Sequence, residues 1–144
     1  MAEFHAPSGG SFERRMTKAV GAGLDATAIN AANIVKSNFL SGQSLNVRTG
    51  TLRRSIRSET DRAALIAKIG PLANSPAKKY APVHEFGAVI TPVRAKALRF
   101  TIEGKTIFAK SVHIPARPYL RPGVARGAKR AQKFMSAAIK KEFR

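Results

Sequence analysis

The feature that most constrains this chain is the helical rhythm near its start. Phe12, Met16, Ala19, Val20, Leu24, Ala28, Ala31, Val35 and Phe39 recur at steps that are mostly three or four, which gathers them on one face of a helix. The spacing predicts a helix that opens at Ser11 as N-cap and ends at Ser41-Gly42. Its apolar face is continuous and must be covered by another layer. Gly21 and Gly23 each cost a helix about 1 kcal/mol relative to alanine, so they mark either close packing or a weak point. The stretch Ala26 to Ala32 offers a narrow surface, for which a sheet is the expected cover. Residues 1–10 precede the rhythm, hold Pro7, Ser8, Gly9 and Gly10, and read as a flexible N-terminal arm.

Beyond a short polar linker the periods change. Thr49 or Thr51 can cap a brief helix in which Leu52 and Ile56 share a face and Arg53, Arg54 and Arg57 point elsewhere. Residues 62–69 read as a strand closed by Gly70-Pro71. Tyr80 to Gly87 predicts a single helical turn, with Pro82 near its start and Gly87 as its stop. The alternating runs 97–102 and 105–112, joined by Glu103-Gly104, predict a β-hairpin. Pro115, Pro118 and Pro122 stiffen residues 114–123 into a strap. Pro122 then opens a final helix, with Val124, Ala128, Ala131, Met135, Ala138 and Ile139 on its apolar face. The expected fold class is therefore α+β, a long N-terminal helix and a C-terminal helix packed on a small antiparallel β-sheet.

At 144 residues and 44% hydrophobic, residues 11–144 can form a single domain with its own core. Charge carries the functional information. Lys and Arg number 26 against 8 Asp and Glu, a formal net charge of +18. The excess is uneven: residues 1–45 hold four basic and three acidic side chains, whereas residues 110–144 hold ten basic and one acidic. An oriented basic surface points to an anionic partner. Contact candidates are Arg48, Arg53 and Arg54 in one patch, Arg117 and Arg121 on the strap, and Arg126, Lys129, Arg130 and Lys133 on the final helix.

Catalysis finds little support, and no cofactor or metal is expected. With no cysteine, thiolate chemistry and disulfide scaffolds are excluded. His84-Glu85 begins like a zinc-protease helix, but the second histidine would stand at Ala88. His84, His113 and Glu85 lack metal-ligand spacing. Gly21-Ala22-Gly23 lies inside a helical pattern instead of after a strand, and no Gly-x-Ser-x-Gly elbow occurs. Nucleic-acid binding has suitable bulk charge, yet no Trp and only 2 Tyr are present to stack on bases. No apolar run is long enough to span a bilayer, the first ten residues resemble no export signal, and the final helix is too alanine-rich for an interfacial anchor. A soluble protein without a membrane partner is expected.

Three ordered segments carry a resemblance: Arg48-Thr49-Gly50-Thr51-Leu52-Arg53-Arg54-Ser55-Ile56, then Tyr80-Ala81-Pro82-Val83-His84-Glu85-Phe86-Gly87, then Pro115-Ala116-Arg117-Pro118-Tyr119-Leu120-Arg121-Pro122. With Lys96 to Phe100 and Phe108 to Val112 between the last two, the chain resembles the tail-completion and virion-morphogenesis proteins of tailed bacteriophages over roughly residues 12–143. The resemblance implies a small α+β domain that assembles as a homo-oligomeric ring, a hexamer, at the head-proximal end of the tail or in the neck. It implies neighbours among neck, tail-tube and tail-terminator proteins, non-specific contact with DNA in the lumen, and a place in the virion after assembly in the host cytoplasm. The expected function is structural, completing the tail and joining it to the head. A basic DNA-binding protein acting outside the virion is the alternative, and a small nuclease ranks third.

Overall fold

The computed structural model describes residues 9–42, 44–45 and 49–144. The opening rhythm folds as helix α1, Gly9–Asn38, of 30 residues. It starts two residues before the expected cap, so Ser11 lies inside the first turn and Gly9 and Gly10 belong to the helix. The rest of the expected arm, residues 1–8, lies outside the described residues. The brief helix α2 spans Thr51–Ser55. Gly50, at φ 68°, holds its N-cap position without a capping side chain, while the Thr51 N–H approaches the Thr49 hydroxyl at 3.4 Å.

Strands β1 (Ile56–Asp61) and β2 (Ile66–Pro71) form an antiparallel ladder. β1 escapes the sequence reading because Ile-Arg-Ser-Glu-Thr-Asp has one apolar residue. The expected strand from residue 62 begins instead at Ile66. The Asp61 carboxylate accepts the N–H groups of Ala63 and Ala64 at 2.9 and 3.0 Å, which folds residues 62–65 into a turn. Helix α3 runs Ala77–Phe86, ten residues in place of one turn, with Pro82 inside it. Strand β3 (Ala88–Ile90) pairs with β6 (Val112–Ile114), and β4 (Leu98–Ile102) pairs with β5 (Lys105–Ala109) around the expected Glu103-Gly104 turn. The second hairpin strand therefore ends at Ala109, and the chain changes partner before Val112.

The C-terminal helix is two helices. α4 (Leu120–Ala128) begins before Pro122, which occupies its third position, and α5 (Ala131–Glu142) follows a break at Lys129 and Arg130. Ala128, expected on the apolar face, is exposed. The fold is α+β as expected: α1 packs on the C-terminal helices and on β1 and β2, and the strands form three two-stranded antiparallel ladders.

Glycine decides how α1 meets its helical cover. A Cβ at Gly127 would lie 2.5 Å from the Cα of Ala31, and one at Gly123 would lie 3.1 Å from the Cα of Val35. Further back along α1, Gly23 faces the Cα of Met135 in the same way, at 2.8 Å. Positions fall along α1 as they rise through α4 and α5, so the pairing is antiparallel. The alanine-rich stretch thus faces a helix as well as a sheet, and Gly23 serves close packing. At the far end the Phe12 and Phe143 rings lie 5.5 Å apart and Lys18 pairs with Glu142 at 3.0 Å. The other end of α1 holds the core, where Val35, Phe39 and Leu40 cluster with Leu45, Ile56, Ala81 and Tyr119. Burial of each large apolar side chain there contributes about 1.5–3 kcal/mol.

Candidate functional site

The second and third motif segments meet through Glu85. Helix α3 carries it near its C-terminal end, buried to 6% exposure. One carboxylate oxygen accepts the backbone N–H groups of Tyr119 and Leu120, both at 2.9 Å, and the other accepts that of Arg121 at 3.0 Å. Tyr119, in the N-cap position of α4, supplies no capping side chain itself. The unpaired amides of a helix start and its positive dipole end need such an acceptor, and a buried carboxylate needs such donors. Each solves the other's desolvation problem.

The backbone reinforces the junction. The Arg117 N–H donates to the His84 carbonyl at 2.7 Å. Gly87, at φ 75°, stops α3 where an added Cβ would lie 2.9 Å from the Ala116 nitrogen and the Ile114 oxygen. The strap therefore passes against bare backbone. Tyr119 is fully buried, and burial, with the charge of Glu85 and the proximity of Tyr80, pushes its phenol up to about 12. Burial, then the neighbouring Arg117 charge, holds His84 below the usual imidazole range.

The expected basic residues fall into separate groups. Arg53 and Arg54 are exposed on α2. Lys36, in the last turn of α1, lies near Arg53 and Arg57; burial, then the Arg57 and Arg53 charges, depress its ammonium pKa. Sequence reading missed Lys36 because it belongs to a different helix, and gave Arg57 no contact role. The Arg57 guanidinium donates to the carbonyls of Arg54 and Ile56 at 2.8 and 3.0 Å. Arg126 lies 5.1 Å over the Phe39 ring, at the same end of α1. Arg117 sits on the strap. Arg121 belongs to the first turn of α4 instead of the strap, and lies 4.7 Å over the exposed Phe86 ring. Lys129, Arg130 and Lys133 are exposed around the α4–α5 break. Arg48 lies outside the described residues.

Among the described residues, ion pairs involve only Arg15 and Lys18 with Glu142 and Arg62 with Asp25. None uses a contact candidate among the described residues, which leaves the charges of Arg53, Arg54, Arg117, Arg121, Arg126, Lys129, Arg130 and Lys133 without an ion-pair partner there. Glu85 is committed to α4, and among the described residues no group of three His, Asp or Glu side chains could hold a metal ion. None of the described helices is long and apolar enough to cross a membrane. The β4–β5 hairpin carries exposed Ile102, Ile107 and Phe108, while β3 exposes Val89 and Ile90. No family model, curated protein or solved structure matches the chain.

Proposed function

We propose that the chain is a non-enzymatic structural protein of a tailed-bacteriophage or prophage virion, completing the head-proximal end of the tail and joining it to the head as part of a homo-oligomeric neck ring. The observation that carries this reading is the ordered motif set, two of whose segments fold onto each other through Glu85. A chain whose motif segments build one junction uses them to set the relative placement of helix, strap and strands. That is a structural task. The apolar side chains exposed on the hairpin favour burial against another protein, and the uncompensated cations suit an acidic neighbouring ring or lumenal DNA.

The test is electron microscopy of lysates from a phage with a nonsense mutation in this gene. Full heads beside separate tails of normal length support the joint. Overlong or ragged tails move the protein to tail termination, and normal infectious particles overturn the virion reading. The grouping of Lys36, Arg53 and Arg57, with no ion pair to an acid among the described residues, favours a second reading, a DNA-binding protein acting outside the particle. Strongly salt-dependent DNA binding by an isolated monomer, with no virion association, supports that alternative.

A further inference from the structure

Cations from five elements gather around Arg57. On the outer face of β1–β2, Arg57 stands opposite Gly70 and Glu59 opposite Lys68. Gly70 leaves that face bare: nothing lies within 4 Å of a Cβ placed there. The space belongs to a groove of about 210 Å³ walled by Arg57, Lys68 and, from the first turn of α3, Lys78. It has room for one phosphate group and several waters, at about 30 Å³ for each water. Glu59 is the one carboxylate lining it, and Lys68 faces Glu59 across the ladder. Asp61, further along β1, accepts the N–H groups of its own turn. Arg57 is fixed in place, because its Nη1 donates to the carbonyls of Arg54 and Ile56. Its Nε and Nη2 edge keeps three N–H donors free for a planar, paired contact with an anion. Past Arg57 the charge continues onto α2 and α1. The Lys36 ammonium, lowered first by burial and then by Arg57 and Arg53, lies in the same field.

We propose that this groove seats a phosphate group of a DNA backbone, with Arg57, Lys68 and Lys78 around it and Arg53 and Lys36 meeting neighbouring phosphates. The site deepens the lumenal-DNA contact of the reading above and rests on it for its place in the particle. Charge and composition select DNA over an acidic protein face. The centre of a protein–protein interface is depleted of charged side chains, whereas this centre is built from them over a bare strand. Interfaces with DNA are strongly positive, polar and wet, as an open groove with room for water permits. No aromatic side chain lines the groove, so bases have nothing to stack on and the contact reads the backbone without regard to sequence.

Fluorescence anisotropy of a labelled mixed-sequence duplex, titrated with the purified full chain over a series of salt concentrations, tests the site. Lys68→Ala with Lys78→Ala removes two exposed groove cations. Lys105→Ala with Lys110→Ala removes the same charge from exposed positions on β5 and just beyond it. Gly70→Leu keeps every charge and fills the groove. The parent is expected to bind two different duplex sequences alike, with affinity falling steeply as salt rises. The groove pair lowers the slope of log affinity on log salt by about 2, the hairpin pair leaves it unchanged, and Gly70→Leu weakens binding. A parent that binds no duplex overturns the proposal. So do equal losses from the two lysine pairs, which mark bulk charge alone, and a Gly70→Leu variant that binds like the parent. Polyglutamate that displaces the duplex at equal concentration of charge also overturns it, in favour of an acidic protein partner. Thermal melting confirms folding; should Gly70→Leu not fold, the two lysine pairs decide the matter. Duplex binding as described with intact particles from the nonsense mutant retains the site and removes the virion role; a parent that binds no duplex, with unjoined heads and tails, does the reverse.

Discussion

The Glu85 carboxylate accepts the backbone N–H of Tyr119 at 2.9 Å across 34 residues of chain. Through this bond and its two neighbours, the end of α3 caps the start of α4. Glu85→Gln keeps one acceptor oxygen but turns an amide donor toward backbone donors. The expected loss is about 1–3 kcal/mol, read by denaturant unfolding. An unchanged midpoint and slope would remove the cap from the account.

Helix propensity and packing oppose each other at the glycines of α4. Gly127→Ala gains about 1 kcal/mol in propensity, but its new Cβ lies 2.5 Å from the Ala31 Cα. Overpacking costs about 1–3 kcal/mol, so a net loss of stability is expected. Gly10, in the first turn of α1, has nothing within 4 Å of an added Cβ. There the alanine variant is expected to melt higher, and thermal unfolding of the two side by side separates backbone entropy from close approach.

His84 gives the fold an acid sensitivity. Its folded pKa is lowered by burial, then by Arg117. Below about pH 6.5, the ordinary imidazole value, the unfolded chain takes up the proton before the folded one. Stability therefore falls as pH drops from there through the depressed folded value, and this contribution is level above about pH 6.5. His84→Gln is expected to flatten that part of the stability–pH curve; a curve of unchanged slope assigns the sensitivity elsewhere.

Arg117→Ala combined with Arg121→Ala tests the basic surface of the strap and the first turn of α4 separately from folding. Both side chains are exposed. Within the chain the double variant gives up the approach of the Arg121 guanidinium to the Phe86 ring, worth about 0.5–1 kcal/mol. A small drop in stability and a lower yield of joined particles are expected. Unchanged infectivity would remove these arginines from the proposed head–tail contact.

Leu52→Asp sets a charge on the side of α2 packed against the core. Its desolvation is unfavourable, so poor soluble yield or a sharply lowered melting point is expected, compared with Arg53→Asp on the exposed side. Equal behaviour of the two would contradict the packing.

Local signals were legible where they were strong. The Phe12-to-Phe39 rhythm gave α1 within two residues at its start, Gly87 marked the end of α3, and Glu103-Gly104 marked the hairpin turn. β1 was hidden because its alternation is built from Ser and Thr against charged residues. The α4–α5 break was hidden because Lys129 and Arg130 are ordinary helix formers that end α4 only in this packing. The contact candidates were legible as charge but not as neighbours. Lys36 and Arg53 come from separate helices, and Glu85 finds its donors at the far side of an excursion through four strands. Spacing along a chain carries no record of such meetings.

That excursion leaves α3 at Gly87 and returns at Arg117, and both ends are fastened at one place. A pull on the β4–β5 hairpin meets the short β3–β6 ladder first, and behind it the Arg117–His84 bond and the three bonds to Glu85. From there it passes along α4 to α1 at the Gly123–Val35 approach. That path runs through the apolar core, of which Tyr119 and Val35 are both members, so tension entering through the hairpin is shared between the core and the longest helix. The Glu85 junction is where such a load passes from the strands to the helical body, and slippage there would part the strap from α3.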